Sequence, residues 1–224
     1  HFKLHLFRGR CFEKTGSSQQ ALKEYSLARR LVPNTIDPID AIANLHYGMK
    51  HYKKARKLYE KLLRRQPSNK LYLLRLVRIS LYYLHYRKAY RLIRRRVGDF
   101  DFAVELERAR IFTGLARYSK ATKLYKKLHQ KTSSHKDKFI IFTDQAKLSI
   151  QQRKYSQALS FLVKALKLYP NNAGTYLEQG KIFYQLKQFR ACKKAAMRYL
   201  SLAPSFAPRA QAKLLRKTCQ KLSK

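Results

Sequence analysis

The stretch ANLHYGMKHYKKARKLYEKLLRRQP, residues 43–67, decides the fold. Tyr52, Ala55 and Tyr59 stand three and four residues apart, the spacing of one face of a helix. Ala43 lies twelve residues before Ala55, and Pro67 twelve after it. Proline cannot continue a helix interior, so it closes the segment. The same five positions recur along the chain. The alanine becomes Ala21, Ala55, Ala89, Ala121, Ala158 and then Cys192, at spacings of 34, 34, 32, 37 and 34. Three residues earlier stand Ser18, Tyr52, Tyr86, Tyr118, Tyr155 and Phe189; four later stand Tyr25, Tyr59, Ile93, Tyr125, Leu162 and Ala196. Twelve earlier runs a column of small or modest side chains: Gly9, Ala43, Val77, Ala109, Ala146 and Gly180. Twelve later come Pro33, Pro67, Pro170 and Pro204, with Asp101 and Ser133 in the remaining two places. Five columns in one register define an internal repeat.

Each column has a physical reason. Two antiparallel helices cross closely only where a side chain is small, which the Gly/Ala columns provide. The aromatics fill the wedge between the pair and the next unit. On this reading, Ala55→Leu or Ala89→Leu overpacks a helix crossing and costs about 1–3 kcal/mol. Composition agrees with a helical chain. The 224 residues include only 7 Gly and 6 Pro, so turns are few and regular elements long. Apolar residues make up 45%, with 16 Tyr and 12 Phe, which excludes a disordered basic tail. No apolar run approaches the roughly 18 residues needed to span a bilayer, and no signal-peptide core is visible. The chain starts at His1 rather than Met, which leaves export open. Three scattered cysteines (Cys11, Cys192 and Cys219) fit neither a disulfide framework nor a zinc site. They favour a soluble protein in a reducing compartment, with a single Cys192–Cys219 bridge as the alternative. Cys11, beside Phe12, reads as a packing residue.

The spacing and residue set resemble the tetratricopeptide repeat, a 34-residue helix–turn–helix unit, over residues 2–206. The resemblance implies an all-α fold: a right-handed superhelical solenoid of six antiparallel helix pairs with a C-terminal capping helix. The repeats are expected at 2–35, 36–69, 70–101, 102–138, 139–172 and 173–206, forming one continuous domain over 1–224. About three residues inserted around Ser133–Lys138 are expected to bend the stack. The cap, 207–224, carries Ala210, Leu214, Leu215 and Leu222 at helical spacing and would cover the last repeat, as solenoids require. No equivalent cap precedes Phe2, which suggests that upstream chain or a partner covers the start. Tryptophan never occupies the bulky position near each first-helix start, which holds His5, Ile39, Leu73, Glu105, Phe142 and Tyr176.

By the same resemblance, the first helix of each pair lines a concave groove and the second forms a convex back. The groove position after the small column reads Arg10, Asn44, Arg78, Arg110, Lys147 and Lys181. In the family this position is commonly Asn and bonds the backbone of an extended peptide. Here a ladder of cations is expected to bind a carboxylate- or phosphate-bearing chain. Replacing Arg78, Arg110 and Lys147 by Ala is expected to weaken binding and to move stability by no more than about 0.5 kcal/mol. Asp37, Asp40, Glu107, Asp144 and Glu178 share the groove side and are positioned to pair with the ladder, as Glu107 with Arg110. Leu6 and Leu74 stand where a chaperone-tail clamp would need Lys, so the resemblance does not extend to that ligand.

The chain holds 51 Lys+Arg against 12 Asp+Glu, a net charge of +39, and most of the excess falls on the second helices. The basic convex surface is assigned to Lys53, Lys54, Lys57, Arg64, Arg65, Arg91, Arg94, Arg95, Arg96, Lys123, Lys126 and Lys127. Soluble faces normally mix signs, and like charges three and four apart repel, so a polyanionic neighbour would relieve this surface. These features point to a non-enzymatic interaction scaffold or adaptor for an acidic protein or peptide segment. RNA in a ribonucleoprotein, an anionic polysaccharide or a membrane surface would meet the same field. Neither a phosphate loop, a nucleophile elbow, an HExxH motif nor a paired-carboxylate arrangement occurs. No catalytic residue, cofactor or metal is therefore expected, and His46 reads as a packed core histidine.

Overall fold

The computed structural model describes residues 1–94, 100–204 and 209–222. Among these the chain is all-α, with thirteen helices and no strand. The first seven are α1 (Phe2–Lys14), α2 (Ser18–Leu31), α3 (Ile36–Gly48), α4 (Tyr52–Arg65), α5 (Lys70–Tyr82), α6 (Tyr86–Ile93) and α7 (Phe102–Gly114). Then follow α8 (Tyr118–Lys131), α9 (His135–Gln151), α10 (Tyr155–Leu168), α11 (Ala173–Gln185), α12 (Phe189–Leu202) and α13 (Arg209–Leu222). The chain falls into two compact units, His1–Leu115 and Ala116–Lys224, so the seam lies inside the fourth pair.

In the first unit each helix packs on the next in chain order. The alanine and small columns meet where the helices cross: Ala21, Ala55, Ala89, Ala43, Val77 and Ala109 are all fully buried. A Cβ added at Gly9 would overlap the Tyr25 ring, which lies flat across α1. Tyr25, Tyr59 and Ile93, four residues after the alanines, fill the wedges. Ile39, Tyr59, Tyr72 and Ile79 form one cluster through α3, α4 and α5, and Leu73, Val77, Ile93 and Ile111 another through α5, α6 and α7. The aromatic column three before the alanine is half-buried in every pair.

The second unit repeats the pattern with Ala121, Ala158 and Cys192 fully buried at the crossings and Tyr125 and Leu162 in the wedges. The inserted residues form a helical turn at the start of α9, which runs from His135 and is 17 residues long. Ser134 caps it by accepting the Asp137 N–H at 3.3 Å. Helix α13 packs on α12 and α11, the capping arrangement. Its buried face is Ala212 and Cys219, with Leu215 reaching the surface that Gly180 leaves low. Of the expected stripe, Leu215 packs inward, while Leu214, Leu222 and Ala210 are exposed, and Ala212 and Cys219 take the buried places instead. Helical spacing gives a stripe, and the partner selects which stripe is covered. Residues 207, 208, 223 and 224 of the expected cap lie outside the described residues.

Cys192 and Cys219 are joined, with Cα atoms 6.2 Å apart, tying α12 to the cap. The expectation of reduced thiols is thereby corrected for these two, because cap packing brings together residues 27 apart in sequence. Cys11 is free and exposed rather than packed.

The turns between paired helices share one device that the sequence did not announce. Gly16, Lys50, Leu84, Ala116, Arg153 and Lys187 all have positive φ, between 56° and 80°. After Gly16, Lys50, Leu84, Arg153 and Lys187 the next residue's N–H reaches back to a carbonyl five residues earlier, as His51 to His46 at 2.8 Å and His85 to Ser80 at 2.8 Å. This is the left-handed helix stop that glycine usually occupies. Here only the first of these turns has one.

Candidate binding surfaces

Consider first the groove-side residues of the first unit. Arg10 is exposed on α1. Asn44 on α3 accepts the Tyr59 hydroxyl at 2.7 Å, so its carbonyl oxygen is already engaged by the core. Asp40, one turn earlier, is partly buried, and burial raises its pKa above the usual carboxylate range, with hydrogen bonds from Tyr72 and Asn44 opposing the shift. Burial, then the Asp40 carboxylate, pushes the Tyr72 hydroxyl up to about 12. The Arg75 guanidinium lies over the Tyr47 ring, 4.2 Å from its centroid. One step along, Arg78 Nε donates to Glu107 Oε1 at 2.6 Å, and Arg110 Nη1 donates to the same oxygen at 3.1 Å. Glu107 is fully buried, so α5 and α7 are joined through a carboxylate shared by two guanidinium groups.

The second unit repeats the arrangement locally. Lys147 pairs with Asp144 at 3.1 Å on α9, and Lys181 with Glu178 at 2.7 Å on α11. Between these helices opens a cavity of about 300 Å³, lined by Phe139, Ala146, Ile150 and Leu162 with Lys147 and Glu178 at its walls. The pairing of Glu107, Asp144 and Glu178 with the ladder is thus present at all three positions. It also corrects the stability expectation for the groove. Arg78→Ala would leave a buried carboxylate without its shortest partner, at a cost of about 1–3 kcal/mol rather than under 0.5.

The second-helix surface differs in kind. On α4, Lys53, Lys54, Lys57, Arg64 and Arg65 are exposed, with Arg56 and Lys61 half-buried, and Glu60 is the helix's one carboxylate. Glu60 sits between Arg56, at 3.8 Å, and Lys88 of α6, at 3.4 Å. Arg65 is partly committed, since its Nη1 donates to the Asn34 carbonyl at 2.8 Å and ties α4 to the preceding turn. Arg91 and Arg94 are exposed around α6, and Lys123, Lys126 and Lys127 around α8. Arg95 and Arg96 lie outside the described residues.

His46 is buried, and burial followed by the charges of Lys54 and His51 lowers its pKa. No group of three or more His, Cys, Asp or Glu side chains is placed to hold a metal among the described residues. None of the described helices is long and apolar enough to cross a membrane.

Stacked helix pairs with small residues at every crossing define a helical-repeat protein. The tetratricopeptide repeat profile matches residues 41–81 and, separately, residues 173–206. The chain thus contains tetratricopeptide repeats, and repeats of this kind serve generally in protein–protein interaction. Its fold is similar to that of a tetratricopeptide repeat protein from Parabacteroides merdae: TM-score 0.82 at 18% identity, over 98% of this chain and 84% of that one. A tetratricopeptide-repeat protein of Thermus thermophilus aligns at TM-score 0.62 and 16% identity, over 82% and 100% of the two chains. A chain of the Cut9–Hcn1 hetero-tetramer of the APC/C gives 0.72 at 15%, over 96% of this chain and 42% of that one. No curated protein matches in sequence.

Proposed function

We propose that this protein is a non-enzymatic scaffold that binds an acidic protein segment through its second-helix surface, with the groove contributing a second contact. The observation that carries the reading is α4, where seven cations share one helix with a single carboxylate. Three first-helix carboxylates, Glu107, Asp144 and Glu178, answer the groove cations Arg110, Lys147 and Lys181. On α4, Lys53, Lys54, Lys57 and Arg64 meet no carboxylate among the described residues, and an acidic chain would supply one. The groove contact suits a segment with both an apolar side chain and a carboxylate, given the apolar cavity beside Lys147. The hetero-tetrameric assembly of the Cut9 neighbour is compatible with such a role.

An oligoglutamate peptide at about 0.15 M salt tests the reading by titration calorimetry and stopped flow. Charge reversal at Arg64, Arg91, Lys123 and Lys126 is expected to slow association and flatten its salt dependence. Replacing Lys147 by Ala is expected to weaken the complex by about 1.5–3 kcal/mol if its ammonium holds a carboxylate. Unchanged rates in the charge-reversed protein would remove the second-helix surface from the function. A normal affinity in the Lys147 variant would leave the groove cations as structural partners of Asp144 and its counterparts.

A further inference from the structure

A second surface combines charge with something charge does not require. At the end of α5 the Tyr82 ring is 62% exposed. Its repeat position, seven before the alanine, is held elsewhere by Lys14, Gly48, Gly114, Gln151 and Gln185, so the fold does not need an aromatic there. Tyr82 nonetheless sits in a row of rings at the ends of two helix pairs. It lies 4.5 Å from Tyr52 and 5.2 Å from Tyr83, centroid to centroid, and Tyr83 stacks on His85 at 6.0 Å with 28° between the planes. Tyr83 and His85 form one wall of a cavity of about 300 Å³ whose other wall is Lys53, Lys54, Arg56 and Lys57. No carboxylate lines this cavity among the described residues, and none of the three lysines forms an ion pair there.

From this juxtaposition we propose that the turn ends of the second and third helix pairs form a binding site for single-stranded nucleic acid. Bases stack on Tyr82 and on the Tyr83–His85 pair, and phosphates meet Lys53, Lys54 and Lys57. The two components select the ligand together. An acidic peptide answers the cations and leaves an exposed ring without a role. A polynucleotide answers both, because every nucleotide carries one phosphate and one π-face. A duplex hides those faces in its own stack, so the strand must be single. The site shares Lys53, Lys54 and Lys57 with the acidic-protein surface proposed above, and dependence on Tyr82 and His85 tells the two apart.

The test is fluorescence anisotropy with a labelled oligouridylate of about ten nucleotides, near the span that one small binding module covers. The comparison probes are an abasic oligomer of equal length, inorganic polyphosphate, oligoglutamate and phosphatidylserine vesicles. Tyr82→Ala is expected to weaken oligouridylate binding about tenfold or more, and Tyr82→Phe to stay within about twofold, because stacking needs the ring and not the hydroxyl. Polyphosphate binding should be the same in all three proteins. Lys53→Ala with Lys57→Ala should weaken both ligands and lower the log–log salt slope by about 0.7 for each phosphate no longer neutralised. Exposure of Tyr82 predicts an unchanged melting midpoint, and His85→Ala, on the aromatic wall with Tyr83, gives a second reading. Wild-type affinity in both Tyr82→Ala and His85→Ala overturns the proposal. So does abasic or polyphosphate binding as tight as that of oligouridylate. Vesicle or oligoglutamate binding that depends on Tyr82 while oligouridylate binding does not would assign the patch to a membrane or an acidic protein instead.

Discussion

Arg153 shows how a single backbone position stores cost in this chain. It is exposed, has φ of 58° and closes α9, with Lys154 N–H reaching the Ser149 carbonyl at 2.9 Å. A left-handed L-residue costs roughly 1–2 kcal/mol from the approach of Cβ to the following carbonyl. Glycine escapes that cost but loses about 0.5–1 kcal/mol in unfolded-state entropy. Arg153→Gly is therefore expected to raise stability by about 0.5–1 kcal/mol, read as an increased urea midpoint at constant slope. A lowered midpoint would mean that the arginine makes a compensating contact. The repeat columns of alanine and small residues were legible in the sequence. The left-handed seat was not, because its occupants, Gly, Lys, Leu, Ala, Arg and Lys, share no chemistry.

At the scale of the element, four of the six first helices begin with side-chain caps, α1 and α3 do not, and none of the six second helices does. Asn69, Asp101, Ser134 and Asn172 each accept a backbone N–H at the start of α5, α7, α9 and α11. Asp101 does more than cap: it accepts the Val104 N–H at 3.1 Å and pairs with Lys70 at the start of α5, which ties two first helices together. The hydrogen bond from Lys70 holds its pKa below the usual carboxylate value. Asp101→Ala is expected to cost about 1 kcal/mol at neutral pH, the ordinary value of such a cap. Because the folded-state pKa is depressed, the stabilisation is complete above the unfolded value near 4 and fades as pH falls through the folded one. Denaturation curves of wild type and variant should thus converge below about pH 4. A gap that persists in acid would show that the cap acts without its charge.

For the molecule as a whole, the dominant quantity is the net charge of +39. Self-repulsion of that size opposes the compact state and is screened by salt, with a Debye length near 30 Å at about 0.01 M and 10 Å at 0.1 M. Raising sodium chloride across that range is expected to raise the melting midpoint by a few degrees, about what 1 kcal/mol gives in a chain of this size. Inorganic polyphosphate should give the same rise at far lower ionic strength, because it binds the folded state. A midpoint that falls or stays flat with salt would mean that ion pairs such as Arg78–Glu107, and not repulsion, govern stability.

The sequence by itself determined the repeat. Neighbouring helices in such a chain touch mainly their neighbours, so packing rules appear as fixed spacings, and Ala55, Tyr59 and Pro67 announce crossing, wedge and stop. It also placed a carboxylate three residues before each of Arg110, Lys147 and Lys181, and these pair on the same helix. Tertiary structure alone decided the rest. Arg78 and Glu107, 29 residues apart, meet because α5 and α7 lie side by side. Ala212 and Cys219 are buried, and Leu215 half-buried, because Gly180 and Cys192 lie beneath them. Tyr82 is exposed at the end of α5 while Tyr59 is fully buried in α4, though both are tyrosines of helices with an apolar and a basic side. Periodicity gives each side chain a direction around its own helix, and only the placement of the next helix decides whether that direction ends in a partner or in water.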